Sequence, residues 1–151
     1  MKIHFCILIL FLIAACSTGS HHDDDGDAMG TETAAQAAKE RFSDVHDVMI
    51  LTDETMDPLF GGKWEGTDID RRRLAWHADM LAIGFGWVQT TLKPKDVDAG
   101  FASLAEDTAV FMQQLSKAAN KDSESVKALF LDPRAVGKNY CGRCHDKYRD
   151  D

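Results

Sequence analysis

Apolar residues in this chain recur at alternating steps of three and four, and that rhythm constrains the fold more than any other feature. Ala38, Phe42, Val45, Met49, Met56 and Leu59 make one stripe. Leu74, Ala78, Leu81, Phe85, Val88 and Leu92 make a second, and Phe101, Leu104, Phe111, Leu115 and Ala118 a third. Val126, Leu129, Val136, Tyr140 and Cys144 continue a fourth, less regular one. Such spacing puts one apolar face on each of four helices. No stretch sustains two-residue alternation, so no sheet is expected. The breaks fall between the stripes. Gly61-Gly62 ends the first, Thr67-Asp68 can cap the second, and Pro94 ends that helix with Lys93 in its last turn. Residues 120–123 separate the third from the fourth, and Pro133 breaks the fourth after Leu131 and starts a new turn. The fold expected is all-α, an antiparallel four-helix bundle. No internal repeat is visible.

The 151 residues suit one domain preceded by a leader. Residues 1–15 read as a secretory signal: Lys2 sits in a short n-region, and Phe5 to Ile13 form a charge-free apolar run too short to span a bilayer. Ile13-Ala14-Ala15-Cys16 resembles a bacterial lipoprotein box, which implies cleavage before Cys16 and lipidation of its thiol. A lipid there would anchor the chain to the periplasmic side of a membrane. Ser17 after it points toward the outer one. The alternative is a soluble periplasmic protein cut nearby, with Cys16 free. Residues 16–31, rich in Gly, Ser, Asp and His, read as a flexible tether, and 32–151 as the folded domain. His21-His22-Asp23-Asp24-Asp25 reads as a solvated spacer rather than a cation site. Losing Lys2 from 17 basic residues against 25 acidic ones takes the net charge from -8 to -9. That balance argues against nucleic acid or anionic lipid as a partner and suits docking to a basic protein.

Of the four cysteines, Cys6 leaves with the signal and Cys16 takes lipid, so Cys141 and Cys144 remain, in Cys141-Gly142-Arg143-Cys144-His145. C-x-x-C-H is the pattern that covalent haem requires. Two thiols about one helical turn apart reach the two vinyl groups, and the adjoining histidine coordinates the iron. Residue frequencies give on the order of one chance match per thousand chains of this length. Two alternatives stand beside it. Zinc would need a fourth ligand besides Cys141, Cys144 and His145. A disulfide of Cys141 with Cys144 is the simplest fate in an oxidising compartment without haem, but a thioredoxin-like redox pair would want a βαβ setting.

A helical chain with C-x-x-C-H close to its C-terminus resembles the cytochrome c-prime superfamily. Val136-Gly137, the haem motif and Tyr148-Arg149 carry the likeness. Helix order matches from Thr33 onward, but only about the last sixteen residues match in detail. The spacing from Gly137 to Cys141 is one residue longer than the family's. The resemblance implies one haem c attached in the C-terminal helix through Cys141 and Cys144, with His145 as axial iron ligand. It implies no enzyme but an electron carrier, with redox partner proteins that the sequence does not name. Dimers through the first two helices would follow by analogy alone.

The family has two branches, set by what the first helix presents to the iron. In one, a methionine is the sixth ligand and the protein carries electrons. In the other the residue is apolar, and the five-coordinate iron takes nitric oxide or carbon monoxide. Met49, Met56 and Leu59 follow the spacing of the first branch, with Met49 as ligand. Methionine also serves as plain core filler. The family's arginine one turn before the ligand is absent, since Val45 stands there. Arg41 with Val45 as distal residue gives an alternative register and the gas-binding branch. His46 and His77 are lesser candidates for the sixth ligand. Phe42, Phe85, Phe111, Phe130, Trp76, Trp87 and Tyr140 could wall a haem, and Arg71-Arg72-Arg73 could meet its propionates. Ordinary core and a solvated helix start are the plainer readings of each.

Overall fold

The computed structural model describes residues 33–95 and 97–148. The expected signal 1–15, the lipid site Cys16, the tether 16–31 and Arg149 lie outside the described residues. Within them every element is helical and no strand occurs. The order is α1 (Ala34–Arg41), α2 (Val45–Phe60), α3 (Asp68–Val88), α4 (Ala99–Lys121), α5 (Ser123–Leu129) and α6 (Pro133–Val136). A π-helical turn, Gly137–Gly142, then leads into α7 (Arg143–Tyr148). No helix among the described residues is long and apolar enough to cross a membrane.

The first stripe predicts one helix, and two form. Asp44 accepts from the His46 and Asp47 amides at 2.7 and 3.2 Å, while Asp47 reaches back to the Ser43 and Asp44 amides. This reciprocal capping box offers the backbone of 43–47 a helix start in place of helix continuation. A second correction concerns α3. It stops at Val88, not near Lys93, because the amides of Thr90 and Leu92 both turn back to the Trp87 carbonyl, at 2.9 and 2.8 Å. Lys93, before Pro94, is steered away from helical backbone as well. Other expected breaks are present, although α5 ends at Leu129, before Leu131. Thr67 caps α3 through a reciprocal box with Asp70, Asp122 separates α4 from α5, and Pro133 opens α6.

The core sits around α3, which packs on α1, on α2 and most extensively on α4. Leu51, Leu81, Met112 and Leu115 are fully buried there, each contributing about 1.5–3 kcal/mol by leaving water. Gly84 lets the backbones close in. A Cβ on it would lie 2.8 Å from the Phe42 ring and 3.2 Å from Val48, so α3 meets the α1–α2 junction at a distance only glycine permits. α4 in turn contacts α5, the π-turn and α7. These contacts bring the C-terminal segment to one flank of the α2–α3–α4 core.

Candidate functional site

Two adjoining cavities of about 60 and 370 Å³ lie where α2, α3 and α4 meet the C-terminal segment. The second falls in the range of cofactor and small-molecule clefts, roughly 300–1,000 Å³, and the first is far smaller. They share Met49 and Asp53 of α2, Phe101 of α4, and Cys144 and His145 of α7. The first adds Cys141 and Tyr140 from the π-turn, Phe85 and Val88 from α3, and Leu104 and Ala105 from α4. The second opens past Val45, His46, Pro94 and Tyr148.

Thr52 and Thr108 also line the first cavity. Their hydroxyls are engaged inside their own helices, donating to the Val48 and Leu104 carbonyls at 2.8 Å each. What they add to the wall is therefore largely apolar. With Phe85, Phe101 and Leu104 they make a hydrophobic enclosure, with two thiols and an imidazole on one side and a thioether on another.

The thiols of Cys141 and Cys144 are free and only partly exposed. Burial pushes both above the ordinary thiol range, and for Cys141 the negative charge of Asp53 adds to the rise. Both are thus held as thiols rather than thiolates, which slows attack on other sulfur. Among the described residues no group of three or more His, Cys, Asp or Glu side chains converges as a metal cage.

A π-turn accommodates one residue more than an α-turn, and such turns recur at functional sites. The one here spans Gly137–Gly142 and so carries Cys141. Tyr140, within it, stacks on Phe111 with ring centroids 4.3 Å apart, which ties the turn to α4.

The far end of the segment is clamped at the N-terminus of α4. Asp98 caps that helix through the Gly100 amide at 2.9 Å. It also accepts from Lys147 Nζ at 2.8 Å and from the Tyr148 hydroxyl. Lys147 and Tyr148 together hold the Asp98 carboxyl down to about 2. A side chain at Gly100 would intrude, since its Cβ would lie 3.0 Å from both the Tyr148 hydroxyl and Asp98. The Tyr148 ring stands edge-on to Phe101, centroids 5.2 Å apart, and Arg143 reaches Asp107 at 3.5 Å. Residues on both sides of His145 are thereby fastened to α4.

The other expected candidates are scattered. His46 lines the second cavity, as does Val45. His77 lines neither; it pairs with the Thr55 hydroxyl at 3.2 Å, and burial lowers its pKa. Arg41 is turned to Glu54, 2.6 Å away. Of the aromatic residues proposed as walls, Phe85 and Tyr140 line the first cavity, whereas Phe42, Phe111, Phe130, Trp76 and Trp87 line neither. Arg71 is engaged by Asp68 and the Ala119 carbonyl, and none of the three arginines 71–73 lines a cavity. Phe101 and Asp53, which line both cavities, are among the residues that sequence reasoning missed as walls. Phe101 stood in a stripe beside others of equal appearance. Asp53 carried one usable signal: it lies four residues after Met49, on the same helix face. No family model, no curated protein and no solved structure matches the chain.

Proposed function

We propose that the protein is a monohaem c-type cytochrome that carries electrons in the periplasm of a bacterium. Its fold is read as an antiparallel four-helix bundle of α2, α3, α4 and the C-terminal helical segment. Cys141 and Cys144 would hold the porphyrin through thioether bonds, His145 would ligate its iron, and Met49 would supply the sixth ligand. One observation carries the reading: Met49 and His145 line the same two cavities, together with Cys144, between apolar walls.

The residues present fit the group. Both thiols are free and line one cavity with the histidine that follows them. The walls of the first cavity are largely apolar, and the second, which adjoins it, has the volume of a small-molecule cleft. The haem, when bound, supplies a one-electron couple. The chain does the rest. His145 and Met49 ligate, and the soft, neutral thioether favours the reduced state. Phe85, Phe101, Leu104 and the two threonines exclude water. The clamp on Asp98 and the Tyr140–Phe111 stack keep the ligating segment in place through the redox cycle. Export under the signal at 1–15 and a lipid on Cys16 would hold the domain at the periplasmic face of a membrane, the outer one by the Ser17 signal. A net negative surface would suit a basic redox partner.

The gas-binding alternative has its own supporting observation. Val45 lines the second cavity, so an apolar residue also stands on α2 near the site. A zinc site is less supported, because no cage of protein ligands gathers among the described residues. An optical spectrum of protein made with haem-maturation machinery separates the readings. A narrow low-spin band on reduction is expected. A broad high-spin spectrum that changes with carbon monoxide would move the assignment to the gas-binding branch, and a spectrum without haem would end both.

A further inference from the structure

Asp53 belongs to both cavities, yet nothing in the haem assignment uses it. It lies in mid-helix, one turn beyond Met49 on the same face of α2. Among the residues lining the two cavities it is the only carboxylate, and no lysine or arginine joins it. Other acids nearby are engaged: Glu54 by Arg41, Asp107 by Arg143, and Asp98 by Lys147. Among the described residues no hydrogen bond or ion pair engages Asp53. Cys141 lines the first cavity with it, and the charge of Asp53 adds to the rise that burial gives that thiol.

We infer that Asp53 sets the redox poise of the site, its fixed negative charge stabilising the oxidised form. This rests on the haem assignment of Cys141, Cys144, His145 and Met49. The oxidised site carries one positive charge more than the reduced one. A carboxylate lining the same cavities, partly open to solvent and with no lysine or arginine among the lining residues, favours the state of higher positive charge. Met49 acts in the opposite sense through its thioether. Two residues one turn apart on α2 thus hold the potential between opposing influences.

The test is a redox titration of the haem-loaded full chain as wild type, Asp53→Asn, Asp53→Ser, Asp53→Glu and Glu106→Gln. Glu106 is exposed on α4 and lines neither cavity, so it controls for the loss of one charge anywhere on the surface. At the wild-type midpoint, Asp53→Asn and Asp53→Ser should shift the reduced-to-oxidised ratio about threefold to tenfold toward reduced. The shift should shrink at high salt, because Asp53 is also open to solvent. Asp53→Glu should restore most of the wild-type ratio, and Glu106→Gln should barely move it. An unchanged midpoint in both neutral variants, with covalent haem and the reduced band retained, overturns the role of Asp53 and leaves the haem assignment standing. An equal shift in Glu106→Gln overturns it too, since a general surface charge would then suffice. Absence of covalent haem from the wild type overturns the assignment and this inference together.

Discussion

The α3–α4 pair and the segment Pro133–Tyr148 are built on opposite terms. α3 and α4 run 21 and 23 residues and bury most of the core. The segment is broken into pieces of 4, 6 and 6 residues, and Val136 is its one buried residue. The pair is stabilised by apolar area removed from water. The segment is held by point fastenings: the Tyr140 stack, Arg143 to Asp107, and the clamp on Asp98. Yet Cys141, Cys144 and His145 are all on the segment. The difference teaches that this chain keeps its stability and its reactive groups in separate places, where each can be altered with limited effect on the other.

The largest effect that could break this contrast is on stability. Leu115→Ala, in α4, should cost about 2–5 kcal/mol in urea unfolding, whereas Tyr140→Leu should cost clearly less. Equal losses would mean that the segment is as much a part of the core as the pair. Next comes Met49→Leu. As a nearly volume-conserving change it should cost less than about 1.5 kcal/mol, yet convert a low-spin haem spectrum to a high-spin one that responds to carbon monoxide. An unaltered spectrum would remove Met49 from the ligands and turn attention to His46, which also lines the cleft.

A third, smaller effect follows from the clamp. The Asp98 carboxyl is held at about 2, below its ordinary 3.8. A depressed acid contributes stability that is present above 3.8 and lost as pH falls from there toward 2. Amide protection in 143–148 should therefore decline across that window ahead of protection in α3, and Asp98→Asn should remove the pH dependence. Simultaneous loss in both regions would contradict separate fastening. The smallest expected effect concerns the free thiols. Asp53→Asn should lower the pH midpoint for alkylation of Cys141 and leave Cys144 nearly unchanged, because Asp53 contributes only to the former.

What the sequence made legible divides along the same line. Three-four periodicity is a direct record of burial, so Leu74, Ala78, Leu81, Phe85 and Val88 of α3 are all buried, as are Phe101, Leu104, Phe111 and Leu115 of α4. Thr67 and Pro133 were readable as helix starts because their chemistry is local. The break at 42–44 was not, since its cause is a side-chain box that competes with a stripe running straight across it. The early end of α3 was hidden because Leu92 keeps the apolar period after the hydrogen bonds have turned back. In the site, the two cysteines and His145 were legible from spacing alone. The π-turn was not legible, since nothing in Gly137-Lys138-Asn139-Tyr140 distinguishes it from an α-turn. Asp53 showed only in its place four residues after Met49, because a lone acid on a helix gives no sign of which other helices will face it.

The central claim is that Cys141 and Cys144 bind a porphyrin covalently, and it is tested most directly by denaturing the protein and extracting it with acidified organic solvent. The pigment should stay with the polypeptide of the wild type and be extractable from a Cys141→Ser, Cys144→Ser double variant. A wild-type chain left colourless by that extraction would contradict the account.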